Sequence, residues 1–338
     1  MDVQTVKRQP FIVAELGANH NGSLERAHAI VDAAADAGAD AIKLQTWHPD
    51  YMVVDKDYTI KGGAWAGRNL AELYREAWTP WVWHEPIFTH AKARGLLPFS
   101  TPFDLPSLVF LERCCASEIY KIASFEIVDL RLVAAVARTG KPMIISTGMA
   151  SYQEIHRAVH TAKDAGCDDI TLLKCTSAYP AEVSNANLET MLAMRLAFEE
   201  CSVGLSDHTM GSAVAVVATS MGAEVIEKHL TLSRADEGLD SGFSMEPAEF
   251  AQMVKDCRTA ASAIGEIRFG PGAGECDELR RSLWLIEDIA AGETIELRHV
   301  RSARPALGME CYQLNQVIGR VAADAYTGGQ PLRVEMLK

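Results

Sequence analysis

The chain has 338 residues, of which 48% are hydrophobic and 23% are charged, and its formal net charge at pH 7 is −13. These values are typical of a globular protein with one large domain and one small one. The negative charge argues against nucleic acid or an anionic membrane as a partner. No apolar run reaches the ~20 residues of a membrane span, and the start "MDVQTVKRQP" lacks the apolar core of a signal peptide. With eight scattered cysteines that show no pairing pattern, these features predict a cytoplasmic protein.

Short apolar runs alternate with helical patterns from residue 11 to about residue 264. Eight of these runs have the length and composition of buried strands. The predicted strands are residues 11–17, 41–46, 97–101, 119–124, 142–147, 170–176, 202–208 and 225–231. Eight strand–helix units over about 250 residues predict an α/β fold, a (β/α)8 TIM barrel. The alternative is a doubly wound open sheet, but no glycine-rich phosphate loop follows the first strand.

One long connection interrupts this alternation after the second strand, at residues 47–80. The segment is rich in Trp and Tyr, and long loops in compact domains usually have a function. Two interpretations are open. The segment is either a lid that covers a substrate or a structural loop that aromatic side chains hold in place.

The composition changes to glycine and charged residues at 265–281, which marks a linker. The linker separates a barrel domain, residues 1–264, from a tail of residues 282–338. The tail contains short strand-like pieces, turns and one short helical pattern, "CYQLNQVIG". We therefore expect a small β-rich domain, and docking on another surface would stabilise so small a core.

Polar side chains collect at the ends of the predicted strands, where a barrel builds its active face. Side chains two residues apart on a strand share a face, so His208 shares a face with Ser206, and His229 shares a face with Glu227. The polar residues at the strand ends are Glu15, Asn19, Lys43, Gln45, Ser100, Thr101, Lys121, Ser124, Glu126, Ser146, Thr147, Thr176, Ser177, Tyr179, Ser206, His208, Glu227 and His229.

Two histidines occupy matching positions at the ends of the last two strands, His208 in "GLSDHT" and His229 in "VIEKHLT". Because these strands are neighbours in a closed barrel, both side chains would point to one place. Two imidazoles among oxygen donors suit a divalent metal with open positions. The alternative is a pair of separately hydrogen-bonded histidines. Since no cysteine lies at a comparable position, the pattern argues against a closed structural zinc site.

Two lysines, Lys43 and Lys121, lie within apolar strands, and lysine is almost never buried without a partner. Either both bind an anion, or one is a Schiff-base nucleophile. A structural alternative is a set of ion pairs inside the barrel, Lys43 with Glu15 and Lys121 with Glu126. Two lysines, several hydroxyls and a metal together describe a pocket for a small, strongly anionic substrate.

Eight stretches of the barrel, in order, resemble the sialic acid synthase family, the nonulosonic acid synthases. They are "AELGANHNGSLERA", "AGADAIKLQT", "FSTPFD", "YKIASFE", "ISTGM", "LLKCTSAYP", "GLSDHT" and "VIEKHLTL". The tail, with "SLWLIEDIAAGETI" and "SARPALGMECY", is similar to the family's antifreeze-like domain, a SAF domain of the β-clip type. Within the family, "KCTSAYPA" and "DEGLDSGFSMEPAEF" are most similar to the pseudaminic acid branch, and the N-acetylneuraminate branch commonly has Asn where Ser177 stands.

The resemblance implies condensation of phosphoenolpyruvate with an acetamido-sugar aldehyde, 2,4-diacetamido-2,4,6-trideoxy-L-altrose, to give pseudaminic acid and phosphate. An N-acetylneuraminate or legionaminate synthase with the same mechanism is the alternative. The metal would be Mn²⁺, with Mg²⁺ or Co²⁺ as alternatives. The resemblance assigns phosphoenolpyruvate binding to Lys43, Thr101, Lys121, Ser124, Ser146, Ser177 and Ser206. It assigns sugar binding to Gln45, Tyr179, Asp240 and Arg304, acid–base catalysis to Glu15 and Glu126, and metal binding to His208 and His229.

The resemblance also implies a domain-swapped homodimer, in which Arg304 of the tail reaches the sugar site of the other subunit. Two other classes of function stay open. One is a Schiff-base aldolase on the same barrel with Lys121 as nucleophile. The other is a non-catalytic carbohydrate-binding module whose tail domain does the binding.

Overall fold

The computed structural model describes residues 9–115 and 117–338. The chain divides into two compact units, Met1–Gly265 and Glu266–Lys338, called here the barrel unit and the tail unit. Residues 1–8, on which the prediction about a signal peptide partly rests, lie outside the described residues. Within the described ranges, no helix is both long enough and apolar enough to cross a lipid bilayer.

Eight parallel strands close into a barrel, each paired with the next along the chain and β8 paired with β1. They are β1 Phe11–Glu15, β2 Ala41–Thr46, β3 Leu97–Pro102, β4 Tyr120–Ile122, β5 Met143–Ser146, β6 Ile170–Cys175, β7 Ser202–Asp207 and β8 Val225–His229. The closed barrel confirms the predicted fold class, and the doubly wound alternative is wrong. Several strands end one or two residues before the predicted limit; β1, for example, ends at Glu15 and β8 at His229.

The described residues of the barrel unit form ten α-helices. They are α1 Leu24–Asp36, α2 Pro49–Met52, α3 Leu70–Glu76, α4 Trp81–Ala93, α5 Leu105–Cys114, α6 Leu130–Ala137, α7 Tyr152–Asp164, α8 Glu189–Ala197, α9 Ala213–Ser220 and α10 Pro247–Ile264. Local signals set their limits. Ser23 caps α1 by accepting from Arg26 N, and Ser151 with Glu154 forms a capping box at α7. Gly38 follows α1 at φ +82°, a conformation that favours glycine.

Strand side chains divide between two cores. Those facing outward, such as Ile42, Leu44, Leu205 and Ile226, pack with the helices as the period of two predicts. Those facing inward form a separate apolar layer in the lower part of the barrel. The buried members of this layer are Val13, Ala41, Phe99, Ile144, Leu173 and Val225.

The next inward-facing positions, two residues further along each strand, carry polar side chains. Val13 is thus followed by Glu15, and Val225 by Glu227. The apolar layer therefore closes the barrel from below and leaves the polar groups at the carboxyl ends of the strands.

Aromatic side chains hold both ends of the segment 47–80. The Trp81 Nε1 donates to Trp47 O (2.9 Å) and the Trp47 Nε1 donates to Tyr74 O (3.2 Å). Thr79 Oγ1 lies 3.1 Å from the Nε2 of buried His20. Burial lowers the pKa of His20 to about 4, so this contact persists in the neutral imidazole form. These contacts agree with the structural-loop interpretation.

The tail unit contains two antiparallel strands, β9 Ser282–Leu285 and β10 Val300–Ala303, and the short helix α11 Leu314–Val317. Further isolated bridges, such as Ile289 with Tyr326, tie its loops together. Its core is small, as expected. The buried members are Leu283, Leu285, Ile289, Ile295, Val300, Val317, Ala322, Leu332 and Met336.

Gly204 on β7 provides a test of the barrel packing. A Cβ at this position would lie 2.3 Å from Val225 O and 2.8 Å from Leu173 Cδ2. We expect Gly204→Ala to lower the free energy of unfolding by about 1–3 kcal/mol, the usual cost of overpacking, as measured by urea denaturation. Gly62, which has nothing within 4 Å of an added Cβ, provides the matched control, and equal stability of the two Ala variants would contradict this account.

Candidate active site

Four charged side chains meet inside the barrel above the apolar layer. Lys43 Nζ lies 2.5 Å from Glu15 Oε2 and 3.8 Å from Glu227 Oε1. Lys121 Nζ lies 3.8 Å from the same Glu227 oxygen. All four residues are buried; Lys43 is 3% exposed and Lys121 is 2% exposed. A buried charge is costly without a partner, so this cluster depends on each member being present.

Burial and mutual attraction shift the pKa values of these groups in different directions. Burial raises the pKa of Glu15, although Lys43 opposes the shift. Burial would also raise the pKa of Glu227, but Lys121 and Lys43 outweigh it and lower the pKa. Burial lowers the pKa of Lys121. The pKa values of the two carboxyl groups are thus shifted in opposite directions.

Hydroxyl groups surround the two lysines. Lys121 Nζ donates to Ser146 Oγ (2.6 Å), and Lys43 Nζ donates to Thr101 Oγ1 (3.3 Å). Ser206 donates to Glu227 Oε1 (3.1 Å). Within residues 9–115 and 117–338, the hydroxyl protons of Ser146 and Thr101 have no acceptor, so both can donate to a bound anion.

Ser124 and Ser177, two further serines predicted to bind the substrate, lie close together at Gly148. Ser124 Oγ accepts from Gly148 N (3.1 Å). A Cβ on Gly148 would lie 2.2 Å from Ser177 Oγ and 2.7 Å from Ser124 Oγ. The backbone at Gly148 therefore brings the serines that follow β4 and β6 together.

The two histidines lie side by side, with ring centroids 5.3 Å apart. His208 Nδ1 donates to Thr176 O (3.0 Å), which leaves its Nε2 as the acceptor. His229 Nδ1 is buried without a hydrogen-bond partner, and burial and His208 lower the pKa of His229 well below its usual value. A neutral imidazole with a free nitrogen, as at His229, fits a divalent metal. Burial would also lower the pKa of His208, but its contacts with Cys175 and Thr176 outweigh burial and raise it. Across the described residues no group of three or more His, Cys, Asp or Glu side chains could hold a metal ion, so other ligands would come from water or substrate.

Asp240 joins the site from a loop far along the chain. It accepts from Ala18 N at Oδ2 (2.8 Å), and the same oxygen lies 3.6 Å from His229 Nδ1. Gly17 permits this approach, because it adopts φ +51° and a Cβ there would lie 2.3 Å from Asp240 Oδ2. Burial raises the pKa of Asp240 to about 6.

A cavity of about 150 Å³ opens above these groups. Its polar lining includes Gln45, Ser124, Tyr179, His229 and Asp240. Gln45 Nε2 donates to Glu15 Oε1 (2.8 Å), which connects the cavity to the charged cluster. The segment 47–80 also lines the cavity through Trp47, Trp65, Leu73, Tyr74 and Ala77, so the same segment is held by aromatic contacts and faces the site.

Glu126 lies in the loop that follows β4. Its Oε2 is buried without a hydrogen-bond partner. Burial raises the pKa of Glu126 to about 7, and the lowering effect of Lys121 does not compensate. A carboxyl group with such a pKa can gain or lose a proton near neutral pH.

Some predicted pairings are wrong. The structure pairs Lys43 with Glu15, but Lys121 lies beside Glu227 rather than Glu126. The statement that no cysteine accompanies the histidines is also wrong, because Cys175 Sγ lies 3.8 Å from His208 Nδ1. The second contact agrees with the barrel register, which sets Cys175 opposite Ser206, two residues before His208.

The sequence analysis assigned no role to Glu227, although Glu227 lies two residues before His229 and therefore on the same face of the strand. It also gave no role to Phe243, whose ring lies 5.1 Å from that of His229. No local signal identifies Phe243, because the preceding loop alone carries it to the site. Arg304 belongs to the tail unit, where its Nε donates to Leu279 O, and its role at the sugar stays a prediction.

A closed barrel with paired lysines and carboxylates at the carboxyl ends of its strands is the arrangement of a barrel enzyme. The NeuB family model matches residues 30–268 and the SAF domain model matches residues 280–338. The chain belongs to the NeuB family, and its tail is a SAF domain.

Similar proteins agree with this membership. The chain is 40% identical to pseudaminic acid synthase of Campylobacter jejuni, over 96% of each chain. It is 33% identical to N,N'-diacetyllegionaminic acid synthase of the same species, over 96% of this chain and 99% of the relative. The crystal structure of N-acetylneuraminic acid synthetase from Leptospira borgpetersenii, in complex with citrate, matches with a TM-score of 0.71 and 33% identity, covering 79% of this chain and 89% of that chain. Together they support a nonulosonic acid synthase.

The raised pKa of Glu126 predicts a pH-dependent stability. The folded protein holds this proton more tightly than the unfolded chain, so the contribution to stability is fully present below pH 4.5 and is lost as the pH rises to about 7. Relative to Glu126→Gln, the wild-type free energy of unfolding should fall across that interval and then level off, as measured by urea denaturation at several pH values. Glu182→Gln, at an exposed loop position, controls for loss of a charge. Parallel pH curves for wild type and Glu126→Gln would refute the assignment.

Proposed function

We propose that this protein condenses phosphoenolpyruvate with an acetamido-sugar aldehyde, in a metal-dependent reaction, to give a nonulosonic acid and phosphate. One observation carries the proposal. Lys43 and Lys121 are both buried within 3.8 Å of the same Glu227 oxygen, among hydroxyls that can still donate. Two ammonium groups beside hydroxyls that can still donate suit a small, strongly anionic substrate.

The proposed acceptor is 2,4-diacetamido-2,4,6-trideoxy-L-altrose, which makes the product pseudaminic acid. Support comes from 40% identity to pseudaminic acid synthase, against 33% to the legionaminic acid enzyme. Phosphoenolpyruvate would lie against the lysines and hydroxyls. The proposed contacts are Lys43, Thr101, Lys121, Ser124, Ser146, Ser177 and Ser206. Gln45, Tyr179 and Asp240, which line the cavity, would contact the sugar.

His208 and His229 would hold the metal, with Mn²⁺ as the first candidate. The unpartnered His229 Nδ1 and the fixed orientation of His208 support this role. A divalent ion there supplies Lewis-acid polarisation of the aldehyde oxygen.

The reaction joins the methylene carbon of phosphoenolpyruvate to the aldehyde carbon, and the aldehyde oxygen takes a proton. The carbon that bears the phosphate becomes cationic and accepts a water molecule, which loses a proton. Phosphate then leaves by cleavage of its C–O bond, and the keto acid remains. Glu15 and Glu126 are placed to move these protons, because burial raises the pKa of both, and such groups contribute about 10²–10⁴-fold.

A Schiff-base aldolase is the second candidate. It is favoured by the burial that lowers the pKa of Lys121, since a neutral amine is the nucleophile in that chemistry. The domain-swapped homodimer, with Arg304 at the sugar of the other subunit, is retained as a proposal that rests on family resemblance.

Phosphate release tests the function directly. With phosphoenolpyruvate, Mn²⁺ and 2,4-diacetamido-2,4,6-trideoxy-L-altrose, the purified protein should release one phosphate per sugar consumed, and N-acetylmannosamine should be a poor acceptor. A higher kcat/KM for N-acetylmannosamine would reverse the choice of sugar. Borohydride inactivation with substrate, together with full activity in EDTA, would favour the aldolase.

Metal binding tests the two histidines without relying on turnover. We expect His208→Ala and His229→Ala each to weaken Mn²⁺ binding at least tenfold in equilibrium dialysis, because each removes one of two protein ligands. Far-ultraviolet circular dichroism should be unchanged. His48→Ala, at a partly exposed histidine in the segment 47–80, is the matched control. Wild-type Mn²⁺ affinity in both site variants would exclude this metal site.

A further inference from the structure

The cavity has a wall that the proposed reaction does not use. Its members are Trp47, Leu73, Tyr74 and Ala77 from the segment 47–80, and Phe103 after β3. We call these five residues the outer wall. They are distinct from the aromatic side chains around the histidines, where Tyr179 lies 4.4 Å from His208 and 5.0 Å from Phe243 between ring centroids.

The outer wall presents an apolar surface with aromatic sides. The ring of Trp47 lies 4.9 Å from that of Phe103 and 5.6 Å from that of Tyr74, both in edge-to-face arrangements. Leu73 and Ala77 complete the surface. Such a surface favours a methyl group over a hydroxyl group, because a buried hydroxyl without a hydrogen-bond partner is unfavourable.

Only one polar group on the outer wall is available to a ligand. The Trp47 Nε1 is used, because it donates to Tyr74 O (3.2 Å). The neighbouring Trp65 Nε1 also has a partner, Leu239 O (3.4 Å). The Tyr74 hydroxyl has no hydrogen-bond partner within residues 9–115 and 117–338, although the residue lines the cavity. Burial and the nearby Glu126 carboxyl raise the pKa of this hydroxyl, so it stays a hydrogen-bond donor. The wall thus combines one free hydroxyl with a methyl-sized apolar surface.

We propose that the outer wall is an acetamido subsite, which binds the second acetamido group of the acceptor, at C4. The methyl group would pack on Leu73, Ala77 and Phe103, and the amide carbonyl would accept a hydrogen bond from the Tyr74 hydroxyl. This inference rests on the proposed function and deepens it, because it names residues that select a diacetamido sugar over one with a hydroxyl at C4.

The subsite is already organised without a ligand. Trp81 Nε1 donates to Trp47 O (2.9 Å), and Thr79 is hydrogen-bonded to buried His20. Tyr74 lies within α3, whose first turn Asn69 caps by accepting from Glu72 N. Because the wall needs no rearrangement, its contacts contribute to sugar affinity rather than to ordering the loop.

Tyr74→Phe is the decisive variant, because it removes the hydroxyl and keeps the ring. The KM for the diacetamido sugar should rise roughly tenfold, the effect of one hydrogen bond, while kcat and the KM for phosphoenolpyruvate stay within twofold. The 4-hydroxy analogue, measured as a competitive inhibitor, should keep its inhibition constant within twofold. Ala77→Leu, which fills the methyl space, should raise the sugar KM as well.

Tyr152→Phe is the matched control, since Tyr152 is 55% exposed on α7, and it should leave all constants unchanged. A sugar KM within twofold of wild type in Tyr74→Phe would overturn the subsite. So would an equal shift for the 4-hydroxy analogue. If the wild type releases no phosphate with any acetamido sugar, the proposed function itself fails, whereas failure of the subsite alone leaves wild-type turnover intact.

Discussion

The sharing of Glu227 by Lys43 and Lys121 is the interaction on which the site depends. Two ammonium groups buried in one barrel would repel each other, and the carboxylate between them, 3.8 Å from each Nζ, offsets that repulsion. Glu15 adds a second partner for Lys43. The hydroxyl groups beside the lysines can still donate hydrogen bonds. An anionic ligand would accept these hydrogen bonds and would not need to break the existing ion pairs.

The apolar layer beneath this cluster has a functional consequence. Val13, Phe99 and Leu173 belong to a filled core that closes the barrel from below. The apolar layer therefore excludes water on one side of the charged groups above it, and electrostatic contacts there are stronger than in water. Because the apolar layer closes the lower end of the barrel, the cavity at the carboxyl ends of the strands is the entrance, and the site residues line it.

Residues of the segment 47–80 both hold the segment in place and line the cavity. Trp81 and the buried His20 hold its ends, and the segment supplies four of the five residues of the outer wall. Because a histidine pKa of about 4 keeps His20 neutral across physiological pH, the anchor does not titrate where the enzyme would work. The proposed acid–base groups thus belong to the barrel, and the proposed sugar selectivity depends on a segment whose anchor at His20 is uncharged.

The sequence by itself determined the barrel, its inward-facing residues and the pairing of His208 with His229, because strand periodicity and strand order are local properties. It could not decide that Lys121 pairs with Glu227 rather than Glu126, or that Cys175 adjoins His208. Those contacts depend on the register between strands and on side-chain reach across the barrel. Nor could it place Asp240 and Phe243 beside His229, since the path of a long loop is set by the surface on which it packs. Only the tertiary structure specifies that surface.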